Sequence, residues 1–200
     1  MKPEKRRQQI LDCAKRLFSI NGYYSTQISD IIREADIARG TVYQYFSNKD
    51  DIFITLLEDY YQKWQAMMTG WAERIPLATI TPREYLRERI LINLQFFAQD
   101  ADLCNILLRM GLGLPGHLDS VSRRFEERIL AVTVNDLKIG LHNSHISPEL
   151  DLNLAAHLFT GALLQAAYAY FGRNADTRNL VDVEKAADQI AGVFADGIFA

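Results

Sequence analysis

The chain contains few of the residues that mark secreted, membrane or β-rich proteins. Its 200 residues include two cysteines and five prolines. Cys13 and Cys104 have neither a disulfide-type nor a metal-type spacing, which favours a reduced setting. No apolar run reaches the roughly 18 residues needed to span a bilayer, and the first residues show no signal-peptide pattern. We therefore expect a cytoplasmic protein that does not enter a membrane.

Catalytic motifs are missing as well. The sequence has no nucleophile elbow, P-loop, HExxH or GxGxxG pattern. Its four histidines are His117, His142, His145 and His157. The spacing of the middle two is a weak metal signal, and His157 lies on an apolar helix, where a core or interface position is the simpler interpretation. An enzyme remains the rival class and would show turnover without a nucleic acid. We expect no enzyme activity, no cofactor and no metal.

Charge is divided unevenly along the chain. The net charge is −3, and 48% of the residues are hydrophobic, which is ample for a core. Residues 1–55 hold nine basic and seven acidic side chains, a balance of +2, and the remainder carries −5. Lys2, Lys5, Arg6 and Arg7 crowd the start. A basic head on an acidic body is consistent with phosphate contact at one end.

The segment from Ser25 to Ile52, STQISDIIREADIARGTVYQYFSNKDDI, predicts two short helices and the start of a third. Thr26 is a candidate N-cap. The apolar spacing i, i+3, i+4, i+7 then predicts one helical face, formed by Ile28, Ile31, Ile32 and Ala35. Asp36 suits a turn, and a second helix is expected from Ala38 to Phe46.

The second helix carries polar and aromatic groups where a core helix would carry leucines. Val42 and Phe46 are four apart and should face inward, which leaves five residues outward: Arg39, Gly40, Thr41, Tyr43 and Gln44. Gly40 within a helix costs roughly 1 kcal/mol relative to Ala, so close approach to another surface is expected there. Ser47 or Asn48 should cap the third helix, with Asp50 and Asp51 in its first turn.

Together these residues resemble the helix-turn-helix of the TetR family of bacterial transcriptional regulators. The resemblance covers roughly Arg6 to Leu57, and its motif consists of Gly40, Thr41, Val42, Tyr43, Tyr45, Phe46 and Lys49. Two positions depart from the family pattern: Asp36 stands where glycine is usual, and Ala38 where a Ser or Thr usually caps the recognition helix.

The resemblance implies that Ala38 to Phe46 enters the major groove of an operator. Arg39 and Gln44 are the candidates for base edges, because Arg pairs with guanine and Gln with adenine. The candidate DNA-binding set, phosphate contacts included, is Thr26, Gln27, Arg39, Gly40, Thr41, Tyr43, Gln44, Tyr45 and Lys49. Residues 1–47 would form this DNA-binding domain, and residues 48–200 a helical effector-binding and dimerisation domain.

The fold class we predict is all-α with about nine helices, of which the first three form the helix-turn-helix domain. Helical periodicity predicts further elements, at about 3–21, 49–71, 81–99, 102–110, 118–141, 150–171 and 183–199. A break rich in glycine and proline falls at Gly111, Gly113, Pro115 and Gly116. The long helix from Asn48 joins the two domains and is expected to transmit any signal between them.

Aromatic and thioether side chains are abundant in the larger domain. They suggest an apolar pocket for a lipophilic or aromatic small-molecule effector, although an ordinary core is the alternative. The candidate ligand-binding set is Tyr60, Trp64, Met67, Met68, Trp71, Asn93, Phe96, Phe97, Leu107, Met110, Phe125 and Gln165. The orientation of Arg109 and His117 relative to the pocket is open.

The last two helices are apolar around more than one stripe, which indicates cover on two sides. One interpretation is an ordinary core. The other, which the resemblance also implies, is a homodimer whose four-helix interface includes Leu154, Leu158, Ala162, Gln165, Ala187, Ile190 and Phe194. The expected function is a ligand-responsive repressor on a palindromic operator. An activator of the same fold and an effector-free DNA-binding protein are the alternatives.

Overall fold

The computed structural model describes residues 2–110, 114, 116–172 and 181–198. These residues contain nine α-helices and no strand, so the predicted all-α class is confirmed. The helices are α1 Pro3–Asn21, α2 Ile28–Ala35, α3 Arg39–Tyr43, α4 Lys49–Ala72, α5 Pro82–Gln99, α6 Ala101–Met110, α7 Gly116–His142, α8 Leu152–Ala167 and α9 Val183–Ile198. A π-helical turn, Tyr168–Gly172, continues α8. Gly111, Gly113, Pro115 and Phe199 lie outside the described residues.

Helices α1 to α3 pack as a small head around buried aliphatic and aromatic side chains. Ile10, Ala14 and Phe18 supply the α1 face, Ile31 comes from α2, and Val42 from α3 is fully buried. The first turn of α1 carries Pro at its start, where the missing N–H costs nothing. α1 ends at Gly22, whose φ of 82° lies in the left-handed region that glycine tolerates.

The turn between α2 and α3 is made by Asp36. Its φ of 50° and ψ of 52° are left-handed, which explains why glycine is usual at this position of the family pattern. The amide of Asp36 donates to the carbonyls of Arg33 and Ile32, closing α2. Asp tolerates this conformation better than most residues, so the departure from glycine preserves the turn.

Two local predictions in the head are corrected. The N-cap of α2 is Gln27, which forms a capping box with Asp30, and Thr26 is instead fully buried. Its hydroxyl donates to the carbonyl of Gly22 at 2.8 Å, so the side chain closes the turn after α1. The second helix stops at Tyr43, three residues earlier than predicted, because Gln44, Tyr45 and Phe46 continue as a tight turn with amides bonded to Thr41 and Val42.

Helix α4 joins the head to the body. Asn48 caps it, as predicted, by accepting from the amide of Asp51 at 2.9 Å. Its first turns pack Ile52 and Phe53 into the head core, and its later turns bury Tyr60, Trp64 and Trp71 in the body. One continuous core therefore crosses from the head to the body. The domain boundary at residues 47/48 remains a prediction.

The body packs α5 against α9, α7 against α8, and α6 against the π-helical turn. α5 begins at a capping box in which Thr81 and Glu84 satisfy each other's backbone amides, with Pro82 at the first position as predicted. Asp151 caps α8 by accepting from the amides of Asn153 and Leu154. Among the described residues, no helix is long and apolar enough to cross a membrane.

Candidate DNA-binding surface and effector cavity

Helix α3 and its flanking turns present an exposed polar surface on the head. Five of the nine predicted DNA-binding residues are exposed: Gln27, Arg39, Gly40, Tyr43 and Gln44. Thr41 and Tyr45 are half-buried, and Tyr45 packs against the core. The guanidinium of Arg39 lies 5.6 Å from the centre of the Tyr43 ring, a cation–π contact. The base-edge candidates are therefore accessible.

Gly40 is not required by the packing of this chain. A Cβ built there would meet no other atom within 4 Å. Glycine weakens a helix, so its presence on an open surface has no explanation within the head itself. A partner whose backbone approaches closely, such as DNA in the major groove, would explain it.

Two predicted phosphate contacts point inward instead. Thr26 is buried, as described above, which removes it from the candidate surface. Lys49 directs its ammonium at the head: Nζ donates to the carbonyl of Tyr23 at 2.8 Å and to that of Thr26 at 2.9 Å. Burial lowers the pKa of Lys49. Two of its three donor hydrogens are therefore engaged in closing the loop between α1 and α2.

Asp50, in the first turn of α4, links that helix to both the head and α7. Its carboxylate accepts from the hydroxyl of Tyr23, in the head, and lies 2.7 Å from Nε2 of His117, at the start of α7. The hydrogen bond from Tyr23, and next the contact with His117, holds the pKa of Asp50 below its usual range. His117 thus lies at the junction of head and body, with its ring directed at Asp50.

A cavity of about 500 Å³ lies in the body at the end far from α3 along α7. Helices α5, α7, α8 and α9 form its walls, and the loops before α5 and after α7 form its rim. Apolar side chains make up most of the wall, among them Leu86, Leu137, Ile146, Phe159 and Phe194. A Cβ at Gly140 would lie 2.7 Å from Cδ1 of Ile146, so a larger residue there would require that side chain to shift.

One part of the cavity wall is charged. The guanidinium of Arg89 donates to the carboxylate of Asp136 and, at 3.3 Å, to the hydroxyl of Thr133. The side chain of Tyr85 also lies beside the Asp136 carboxylate. Burial raises the pKa of Asp136 despite the neighbouring guanidinium, and burial raises the pKa of Tyr85 to about 12. An apolar cavity with a few convergent polar groups is the usual form of a small-molecule site.

The predicted ligand-binding residues are corrected by this geometry. Most of them are buried core side chains, and no described member lines the cavity. Tyr60, Phe96 and Phe125 pack ring against ring, and Nε1 of Trp64 donates to Asn93 at 2.9 Å. The buried members are Tyr60, Trp64, Met68, Trp71, Asn93, Phe96, Phe97, Leu107 and Phe125. In the structure these side chains pack as part of the core.

The other members of that set lie elsewhere. Met67 is half-buried, and Gln165 lines a second, more open pocket of about 480 Å³ between α7 and α8. The side chains of Met110 and Arg109 lie outside the described residues. The sequence did contain a signal for the wall of this cavity: Arg89 lies on the largely apolar face of α5 that also carries Leu86, which places a charge at a core position.

The predicted dimer-interface residues divide into two groups. Leu154, Leu158, Ala162 and Gln165 form an exposed face of α8, and the two leucines are 58% and 56% exposed. Ala187 and Phe194 are buried inside the subunit, where the Phe194 ring lies 5.2 Å from that of Phe159. Ile190 is half-buried, whereas Val193 on α9 is 71% exposed.

The four histidines do not form a metal centre. Within the described ranges, no group of three or more His, Cys, Asp or Glu side chains is placed to hold a metal ion. His157 is exposed and bonds to the carbonyl of Asn153 at 2.7 Å, which rules out the core interpretation and leaves the interface interpretation as a prediction. Cys13 is half-buried and Cys104 is buried, both as free thiols.

The structure thus combines a head that exposes a polar helical surface with a body that contains a separate cavity. Comparison with known proteins agrees: residues 10–56 match the family model for bacterial regulatory proteins, tetR family. The match covers the head of the chain, and the curated and structural relatives that it resembles are TetR-family transcriptional regulators. It is a DNA-binding transcriptional regulator, and its relatives are regulators rather than enzymes.

Relatives differ in how much of the chain they match. The HTH-type transcriptional regulator HbdR of Aromatoleum sp. (strain CIB) is 48% identical over 71 residues, which span 34% of this chain and 31% of HbdR. The fatty acid metabolism regulator protein of Bacillus subtilis (strain 168) is 28% identical over 159 residues, 78% of each chain. The crystal structure of FadR from Bacillus subtilis in complex with stearoyl-CoA has the same fold, with a TM-score of 0.79, 23% identity, and coverage of 96% of this chain and 98% of that one.

Proposed function

We propose that the chain is a homodimeric repressor that binds a palindromic operator and releases it when a small, largely apolar effector fills the cavity. The proposed DNA contacts are those of the predicted set that remain accessible, with Arg39 and Gln44 reading base edges. Two heads related by a two-fold axis would reach half-sites about 34–36 Å apart, or a multiple of that distance. The open surface at Gly40 is the observation that carries the proposal.

Substitution Gly40→Ala separates DNA contact from fold stability. The methyl group has free space in the head, so we expect stability to rise by up to about 1 kcal/mol. We also expect operator affinity to fall about tenfold or more, since the methyl would hold the helix away from the groove. The measurements are urea unfolding and fluorescence anisotropy with operator DNA.

A matched glycine provides the control. Gly70 lies within α4, and a Cβ there would meet only the end of the Arg74 side chain at 4.0 Å. Gly70→Ala should give a similar gain in stability with operator affinity unchanged. Unchanged DNA affinity in Gly40→Ala would show that α3 does not enter the groove in this orientation.

The effector proposal rests on the cavity. Its walls are mainly apolar, and two exposed hydrophobic side chains, Leu77 and Ile139, stand at its rim, 68% and 53% exposed. Such a rim favours the entry of apolar molecules. Because the structurally similar FadR was solved with stearoyl-CoA, compounds with an acyl chain are a first set to test for release of the operator. Couplings of this kind are typically about 1–3 kcal/mol.

Operator identity is best approached by selecting DNA sites with the purified protein. An enriched palindrome is the expected result, and binding without sequence preference would support the effector-free alternative. Transcription from a promoter carrying that palindrome then gives the sign of regulation: lower output in the presence of the protein supports repression, and higher output supports activation.

A further inference from the structure

The charged part of the cavity wall is unusual for its surroundings. Arg89 is 3% exposed, and the Arg89 and Asp136 side chains come from α5 and α7, 47 positions apart. Around them the wall is formed by Leu86, Phe159 and Phe194. Thr133, which accepts from Arg89, is itself buried. A paired cation and anion therefore lie at the inner surface of an apolar space.

Fold stability does not account for this pair. Removing two charges from water costs free energy that their attraction often fails to recover, and well-packed apolar residues at such positions are frequently neutral or stabilising. The exposed side of α5 shows the cheaper alternative, because Arg87 pairs with Glu184 and Asp188 at the surface. A buried pair that lines a cavity is instead placed where an entering molecule would meet it.

We infer, on the basis of the effector role proposed above, that the cavity selects a molecule whose inserted end carries an uncharged hydroxyl group. The hydroxyl would donate to Asp136 and accept from Arg89, so that one neutral group uses both partners. A carboxylate has at most four acceptor positions. That of Asp136 receives a hydrogen bond from Arg89, with the Tyr85 side chain beside it, which leaves room for a further donor.

Charge balance favours a neutral hydroxyl over a carboxylate or ammonium group at the inserted end of the molecule. Arg89 and Asp136 neutralise each other, so a carboxylate or ammonium group placed against them would add an unpaired charge to a low-dielectric space. The other charged or titratable lining groups are Tyr85, Arg83 and His145, of which Arg83 and His145 are exposed at the rim. A charged part of an effector would therefore stay at the mouth while the hydroxyl-bearing end goes in.

Four probes with one apolar body test the inference. They are butylbenzene, 4-butylphenol, 4-butylbenzoate and 4-butylbenzylammonium, each titrated at pH 7 into the dimeric full-length protein by calorimetry. We expect 4-butylphenol to bind about tenfold or more tightly than butylbenzene, since a hydrogen bond to a charged partner is a strong one. The two ions should bind no more tightly than butylbenzene. The Trp71 ring, 5.3 Å from that of Tyr85, offers a fluorescence readout of the same binding.

Two variants test whether the charged part of the cavity wall causes the preference for the hydroxyl group. Asp136→Asn and Tyr85→Phe each keep the shape of the side chain, and each should reduce the preference for the phenol over butylbenzene at least threefold. Asp119→Asn is the matched control, because Asp119 pairs with Arg123 on the surface of the same helix α7 at 2.6 Å. It should leave the preference unchanged. If Asp136→Asn fails to fold, Tyr85→Phe decides alone.

The outcomes separate this inference from the effector role itself. Equal binding of the phenol and butylbenzene would overturn the hydroxyl selection and leave the cavity as an apolar effector site. Tighter binding of the benzoate or the ammonium probe would overturn it in favour of a charged class. Binding of none of the four would overturn it too, and operator affinity measured on the same preparation would show whether the DNA-binding function stands.

Discussion

The ammonium of Lys49 lies 4.1 Å from the centre of the Tyr23 ring and donates to the Tyr23 carbonyl at 2.8 Å. A residue that the family pattern places at the DNA backbone thus also holds the loop between α1 and α2 against the start of α4. The adjacent Asp50 accepts from the hydroxyl of the same tyrosine. The head is therefore closed by the first two residues of the helix that follows it.

Replacing Lys49 by Met should destabilise the head. The substitution removes the ammonium donor from the carbonyls of Tyr23 and Thr26 and removes the cation–π contact, so we expect the free energy of unfolding to fall by about 1–3 kcal/mol. Urea unfolding measures this, with Lys5→Met on the exposed side of α1 as the control. Unchanged stability together with a salt slope of DNA binding reduced by about one would identify Lys49 as a phosphate ligand only.

The left-handed turn at Asp36 predicts that glycine is better there. Asp36→Gly removes the steric cost of a Cβ at φ 50°, and we expect stability to rise by about 1 kcal/mol, whereas Asp36→Val should lower it. Thermal or urea unfolding gives the comparison. Asp12 is an exposed residue in the middle of α1. Asp12→Gly should lower the free energy of unfolding by about 1 kcal/mol, which would show that glycine helps only at the left-handed position. Equal stability of the Gly and Val variants at 36 would contradict the turn geometry.

Tyr60 carries a buried hydroxyl without a hydrogen-bond partner in the structure. Tyr60→Phe removes that group and keeps the rings packed against Phe96 and Phe125. We expect the free energy of unfolding to rise by about 1 kcal/mol, because an unsatisfied buried polar group is destabilising. Tyr85→Phe provides the contrast and should lower stability, since its side chain lies beside the Asp136 carboxylate, and the loss of the hydroxyl would remove a polar neighbour of that buried group. A loss of stability in Tyr60→Phe would mean that the hydroxyl has a partner in solution.

Asp50 should make stability depend on acid pH. Its pKa is lowered in the folded state by the hydrogen bond from Tyr23 and then by His117, so its contribution is present above the unfolded pKa of about 3.9. That contribution is lost as pH falls through the lower folded pKa. In urea unfolding from pH 7 to pH 3, the free energy of unfolding should fall less steeply for Asp50→Asn than for the unchanged protein. Asp136 has the opposite sign, because its pKa is raised: it favours the folded state at low pH and this contribution disappears as pH rises.

The exposed face of α8 predicts the oligomeric state. Leu158→Asp places a charge at the centre of the proposed two-fold interface, where burial without a partner is costly, and should convert the dimer to a monomer by sedimentation or light scattering. Ile20→Asp is the control, because Ile20 is 68% exposed on the head, away from α8. A dimer that survives Leu158→Asp and is disrupted by Ile20→Asp would place the interface elsewhere.

Local sequence determined the helices and most of their ends. Asn48 and Thr81 have side chains whose oxygens reach an amide three residues on, so capping was readable without any tertiary information. The same reasoning wrongly predicted Thr26 as an N-cap, because its hydroxyl could bond either to an amide of α2 or to a carbonyl at the end of α1. Burial under α1 favoured the carbonyl of Gly22, and Gln27 took over the cap.

What lies between the helices was decided by tertiary structure alone. The aromatic residues of α4 and α5 looked equally suited to a pocket or a core, because both need large apolar side chains at helical spacing. Packing of the rings onto one another made them core, and the cavity opened instead beside α9, where Arg89 and Asp136 meet from different helices. The sequence determined that this chain is helical and carries a DNA-reading head, because those features depend on neighbours in the chain. The place and polarity of its cavity depend on distant residues brought together by folding.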